Sequence, residues 1–286
     1  MTHKIGWLNR PGTTGATWNP VTGCTKCSEG CKNCYAERMS KRLSGRFGYP
    51  EDEPFRVTLH EDKLDAPLGW KKPRTVFVCS MGDLFHEDVP FWYIARIVDV
   101  MESAPEHTFL LLTKRPDRML DFTEWMCREG EDLPMSFTRW PDNIWLGTTI
   151  EKPEYSYRAE YLRRCPAAVR FLSLEPLLGS MADYPGIYDD MDWIICGGET
   201  GHGARPAHPD WIRDIRDRCK LLGIPFFFKQ WGAWAPYPHH DNRFGPTPPS
   251  AIHWFGEQKG PPDMWRINKK NSGYLLDGKE HHEWPQ

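Results

Sequence analysis

Trp193-Ile-Ile-Cys196, Pro209-Asp-Trp-Ile-Arg-Asp-Ile-Arg-Asp-Arg-Cys-Lys-Leu-Leu-Gly223 and Ile224-Pro-Phe-Phe-Phe228 follow one another along the chain. The outer two are short, almost wholly apolar runs, as expected of parallel strands covered on both faces. In the middle stretch Trp211, Ile212, Ile215, Cys219 and Leu222 recur at helical spacing, with Pro209 as a start signal and Gly223 as a stop. Together they read as one strand–helix–strand unit. Further apolar runs precede it: Thr75–Met81, Thr108–Thr113, Asn143–Thr149 and Val169–Leu174, with Thr17–Gly23 as a short first strand. Helical patterns lie between them: Tyr35, Met39 and Leu43 up to Gly45; Ile94, Ile97, Val98 and Met101; and a helix opened by Pro116. Strand then helix, repeated six or seven times, predicts an α/β fold with a parallel sheet. Polar residues gather after the strands, where barrel active sites sit, and favour a (β/α) barrel or partial barrel. No Gly-x-Gly-x-x-Gly or Walker sequence opens a helix, which weakens the doubly wound alternative.

With 286 residues, 40% hydrophobic and 26% charged, the composition excludes a disordered or fibrous protein. No apolar run approaches the roughly 20 residues that span a bilayer, so no membrane partner is expected. The first residues lack an apolar signal core, so a cytoplasmic protein is expected. A net charge of −3 argues against coating nucleic acid by charge alone and leaves room for a local basic groove. The 14 Trp are read chiefly as core filling. From Trp231 onward eight prolines and five Trp break all periodicity. The expected organisation is therefore a barrel over 1-230, with an irregular aromatic extension over 231-286 packed on it and covering its cavity. Leu276-Asp-Gly-Lys279 reads as a hairpin in that extension. The pairs His239-His240 and His281-His282 read as solvated loop histidines rather than metal ligands.

Four of nine cysteines fall within eleven residues: Cys24, Cys27, Cys31 and Cys34. So tight a run cannot place four side chains in one apolar layer, and an odd total without a secretion signal argues against a disulfide framework. Zinc knuckles are usually separated by about 15–20 residues. A compact run in which one loop wraps a metal centre suits an iron–sulfur cluster better. The other five cysteines read as small buried hydrophobes.

Cys27-x3-Cys31-x2-Cys34 resembles the signature of the radical SAM superfamily. A closer resemblance covers nearly the whole chain, to an uncharacterised family common in phages and prophages and distantly related to spore photoproduct lyase. It rests on Trp18-Asn-Pro-Val-Thr-Gly-Cys24, Gly30-Cys-Lys-Asn-Cys-Tyr-Ala-Glu37, Ser80-Met-Gly-Asp-Leu-Phe85, Leu112-Thr-Lys-Arg-Pro116, Trp145-Leu-Gly147, Ser173-Leu-Glu-Pro176, Gly197-Gly-Glu-Thr-Gly201, Ala204-Arg-Pro206, Phe228-Lys-Gln-Trp-Gly232 and Leu275-Leu-Asp-Gly278. The resemblance implies a [4Fe–4S] cluster held by three cysteines, with the fourth iron open to S-adenosylmethionine. Cleavage of that cofactor would yield a 5′-deoxyadenosyl radical, with the electron supplied by an external donor. The closer family implies Cys24, Cys31 and Cys34 as the ligand set, whereas the superfamily spacing implies Cys27 in place of Cys24. Phage association and the distant lyase make a nucleobase or nucleic acid the leading substrate, a flipped-out nucleotide more readily than a long duplex.

The same resemblance implies that Ser80, Met81 and Asp83 bind the amino group of S-adenosylmethionine. Lys114 and Arg115 are candidates for its carboxylate or a substrate phosphate. Thr148, Thr149 and Glu151 are candidates for its ribose, and Ser173 completes the cofactor set. A carboxylate or amine at a strand's C-terminal end in a barrel faces the cavity, which makes Glu175, Glu199 and Lys229 the catalytic candidates. Two rival readings remain: a zinc-stabilised nucleic-acid-binding module, and a cluster-bearing scaffold that does not cleave S-adenosylmethionine.

Overall fold

The computed structural model describes residues 5–129, 137–236, 251–252, 264–267 and 272–286. Seven parallel strands follow one another around a curled sheet in chain order: β1 (Thr14–Trp18), β2 (Arg74–Val78), β3 (Thr108–Thr113), β4 (Ile144–Thr149), β5 (Arg170–Leu174), β6 (Trp193–Gly197) and β7 (Phe226–Gln230). The sheet is open between β1 and β7, a half-barrel. Helices α1 (Tyr35–Leu43), α2 (Phe91–Glu102), α3 (Pro116–Glu129), α4 (Arg158–Arg164) and α5 (Pro209–Leu222) follow β1, β2, β3, β4 and β6. Gly223 ends α5 in the left-handed conformation, as its place in the sequence requires.

Two details depart from expectation. The first strand is Thr14–Trp18 rather than Thr17–Gly23, because Pro20 lacks an N–H for the ladder and the Asn19 side chain turns to the next loop. Val21–Thr22 instead pairs antiparallel with Thr58–Leu59. No α-helix joins β5 to β6. Pro176, Gly179, Pro185 and Gly186 interrupt that stretch, and only the 3-10 turn Pro185–Tyr188 forms.

The two faces of the sheet do different work. Val76, Val78, Phe109, Leu111, Ile144, Leu146, Leu172, Leu174, Ile194, Cys196, Phe226 and Phe228 face the helices and form the main core. The alternate residues face inward in rows set by the register: Phe77, Leu110 and Trp145; then Leu112, Gly147, Phe171 and Trp193; then Thr149, Ser173, Ile195 and Phe227. The lower rows make a second apolar cluster with Trp7 and Leu8. Trp193 is at its centre, with ring centroids 5.8–6.2 Å from those of Trp7, Trp145, Phe171 and Phe227. Aromatic rings thus fill the lower end of the half-barrel, and polar side chains collect at the upper end.

The C-terminal segment divides. Trp234–Pro236, Met264–Arg266 and Ala251–Ile252 form a small antiparallel sheet. Trp234 Nε1 donates to the Ala204 carbonyl, 2.8 Å, near the upper end. Residues 281–284 run along β7 toward the lower end instead: Phe228 N–H donates to the His281 carbonyl, and Trp284 Nε1 to that of Trp7. His281 and His282 are not solvated loop residues. His282 stacks on Phe227 with centroids 4.4 Å apart, and His281 packs on Phe226. His239-His240 lies outside the described residues. Leu276 and Lys279 exchange both backbone hydrogen bonds across Asp277-Gly278, each with positive φ, as a tight hairpin demands. No helix among the described residues is long and apolar enough to cross a membrane.

Candidate functional site

The cysteine loop, residues 24–34, leaves the first strand and lies across the upper strand ends. Its start is fixed by backbone. Gly23 has φ +87°, its N–H donates to the Met81 carbonyl, and a Cβ there would collide with the Arg56 carbonyl. The Asn19 side-chain carbonyl accepts from Met81 N–H, 2.9 Å, and from the Ser80 hydroxyl, 3.2 Å. The Trp18–Cys24 and Ser80–Asp83 motifs are therefore two halves of one docking. Arg115 grips the next residues, donating from Nη1 to Cys24 Sγ, 3.4 Å, and from Nη2 to the Thr25 hydroxyl, 2.8 Å.

The middle of the loop rests on Glu151. The Ser28 hydroxyl donates to Oε1, Lys114 Nζ lies 2.7 Å from the same oxygen, and Arg158 Nη1 lies 2.7 Å from Oε2. Glu29 takes Lys152 at 2.6 Å, and its backbone carbonyl accepts from Arg205 Nη2, 3.1 Å. Arg205 in turn clasps Glu199 through Nε and Nη2, 2.8 and 2.7 Å. The far end is tied by Asn33 Nδ2 donating to the Gly203 carbonyl, 2.7 Å.

The thiols differ. Burial first, then the Asp83 charge, pushes Cys24 up to about 12. Cys31 is drawn down to about 4, first by the hydrogen bond from the Cys27 thiol, with Lys114 and Ser28 adding to it; Cys27, the donor, is raised. Among the described residues, no three His, Cys, Asp or Glu side chains are drawn together tightly enough to hold a metal ion as they stand. The donor chemistry itself fits a soft metal. Four thiols share one loop, one of them favours the thiolate that metals require, Lys114 faces Cys31, and Arg115 faces Cys24 and Cys27.

The other sequence candidates fall into three groups. Asp83 is engaged by its own turn and by the end of β3: it accepts from Phe85 N–H, Thr113 Oγ1, Lys114 N–H and Arg115. Thr148 points away from the inner face, its hydroxyl donating to the Thr113 carbonyl at 2.9 Å. Thr149 and Ser173 share an inner-face row, and the Glu175 carboxylate stands above it. There Lys229 Nζ is 2.8 Å from Glu175 Oε2, and Gln230 Nε2 is 3.4 Å from Oε1. Gly197 leaves the room: a Cβ there would meet the Glu175 carboxyl carbon at 3.3 Å. The sequence assigned no site role to Asn19, Ser28, Gly30, Arg158 or Arg205, although Asn19, Gly30 and Arg205 stand within the quoted motifs. Arg158 lies on α4, a helix the sequence patterns did not predict, and it is 1% exposed.

Residues 4–285 match the family described as "Protein of unknown function (DUF5131)". The chain belongs to that family. No curated protein matches it. Among solved structures, it is similar to spore photoproduct lyase complexed with dinucleoside spore photoproduct, with 11% identity and a TM-score of 0.42 over 69% of this chain and 58% of that one. A cysteine-to-serine mutant of the lyase gives 12% and 0.43 over 76% and 64%. A double mutant with bound AdoMet and dinucleoside spore photoproduct gives 9% and 0.39 over 71% and 60%. The DUF5131 chain thus matches less than two thirds of the length of each lyase chain.

Proposed function

We propose that this chain is an iron–sulfur enzyme of radical SAM type, with Cys24, Cys31 and Cys34 as ligands of a [4Fe–4S] cluster. One observation supports this best: a four-cysteine loop lies across the upper ends of a parallel half-barrel whose lower end is filled with aromatic rings. The chemistry such a group would supply when bound is one-electron reductive cleavage of S-adenosylmethionine into methionine and a 5′-deoxyadenosyl radical, the electron coming from an external donor and the protein supplying orientation and exclusion of water. Lys114 and Arg115 offset the charge of the thiolates. Thr149 and Ser173 offer inner-face hydroxyls to the cofactor, beside the turn of Ser80, Met81 and Asp83. Glu175 and Lys229 face the substrate, while Glu199, clasped by Arg205, holds the loop.

We read the substrate as a nucleobase or nucleic acid. The surface beside the loop favours it: Tyr35 and Phe47 are 54% and 73% exposed, and Arg38, Arg42 and Arg46 lie exposed between them. Aromatic rings interleaved with cations suit unpaired bases and phosphates.

The test is anaerobic reconstitution with iron and sulfide, then addition of S-adenosylmethionine and dithionite, with products read by mass spectrometry. The expected result is a brown protein that forms 5′-deoxyadenosine. A colourless protein with stoichiometric zinc would overturn the reading in favour of a zinc module. A stable cluster without cleavage under any reductant would favour a scaffold.

A further inference from the structure

Glu151 is fully buried, and both of its oxygens are occupied. Arg158 holds Oε2, and Lys114 and Ser28 hold Oε1. Arg158 is itself fixed: its Nη1 also donates to the Thr149 carbonyl, 2.7 Å, and its guanidinium lies over the Tyr155 ring at 4.4 Å. A Cβ on Gly30 would stand 2.5 Å from Glu151 Oε1, so the loop backbone rests directly on the carboxylate. Burial opposes its charge, but Lys114 and Arg158 outweigh that and hold the carboxyl below its ordinary range. A ribose hydroxyl would have to displace one of these partners.

We infer that Glu151 is a positioning residue for the cysteine loop: backed by Arg158, it is the seat on which Ser28 and Gly30 dock and so fixes Cys31 over the strand ends. The docking is a property of the metal-free chain; its effect on a cluster rests on the proposed function.

Two substitutions probe the contact from the loop side and leave Glu151, Arg158 and Lys114 in place. Ser28→Ala removes the hydroxyl, and Gly30→Ala drives a methyl group into the carboxylate. Glu151→Gln weakens the seat itself. In metal-free reduced protein, backbone amide exchange over residues 27–33 is expected to rise several-fold in Gly30→Ala and Glu151→Gln and less in Ser28→Ala, with α5 unchanged. After reconstitution, the same variants should hold less iron per chain and show a shifted electron paramagnetic resonance spectrum. Unchanged loop exchange in Gly30→Ala overturns the inference, and so does an increase shared equally by α5, which would signal general loosening. Should the wild-type chain take up no iron and sulfide, the proposed function fails, while the exchange experiment still decides the docking.

Discussion

Cys24 donates its own N–H to the Phe55 carbonyl, follows a glycine held by the Met81 carbonyl and lies against Arg115, whereas Cys27 is exposed and touches Cys31. A ligand held by fixed backbone loses less freedom on binding metal than one on an exposed turn. Cys24→Ala, Cys31→Ala and Cys34→Ala are therefore each expected to abolish iron and sulfide uptake, and Cys27→Ala to retain both. Iron and sulfide analysis per chain after reconstitution checks this, and loss in Cys27→Ala with retention in Cys24→Ala would restore the ordinary superfamily spacing. The four thiols, and the acids and bases at the strand ends, were legible as residue types. Their partners were not. Glu151 and Arg158 are seven positions apart, but Ser28 is 123 positions from Glu151, and no local pattern announces such a pairing.

At the scale of elements, the C-terminal hairpin is fastened to α5 by charge. Asp277 accepts from Arg213 at 2.8 Å and from Arg216 at 2.6 Å, and the two guanidiniums, Arg213 first, lower its carboxyl from 3.8 to about 2. A depressed carboxylate stabilises the fold above its unfolded value and ceases to do so as pH falls through its folded value. The contribution should thus be complete above pH 3.8 and lost as pH falls through about 2. The pair is 39% exposed at Asp277, so solvent and salt screen it and the stability effect is small. Asp277→Asn is expected to speed amide exchange over residues 276–283 at neutral pH, with the melting temperature almost unchanged. Equal exchange in the variant and the parent would show that backbone pairing along β7 alone holds the segment.

Across the whole molecule, the aromatic filling of the lower end divides the half-barrel into a packed floor and a polar mouth. Trp193 is fully buried against four other aromatic rings, and its Nε1 donates to the Glu283 carbonyl at 2.8 Å. Trp193→Ala would remove the middle of that floor and, with it, one of the ties to the C-terminal segment. Cavity formation of this kind costs about 3–5 kcal/mol, to be read as a lowered urea midpoint, and a loss below about 1 kcal/mol would mean that the floor is not close-packed. Most of the Trp residues read from composition as core filling do that work, among them Trp7, Trp18, Trp140, Trp145 and Trp193.

Six of the seven strands of the parallel sheet, four of the helices and the parallel α/β class follow from the sequence alone, because each depends on residues within a few positions of one another. Gly223 stops α5 and Asp277-Gly278 turns the hairpin by local conformational preference. The break after Trp18, the missing helix between β5 and β6 and the seat beneath the cysteine loop depend on contacts between distant segments. Asn19 serves the Ser80–Met81 turn, residues 281–284 line β7, and Glu151 meets Ser28 only once seven strands have brought their ends to one side. Which groups stand at the strand ends follows from local residue order. Tertiary structure decided that Glu151, Glu199 and Arg115 hold the loop and left Glu175 and Lys229 to face the inner side, because a buried charge must find its partner wherever the fold places one.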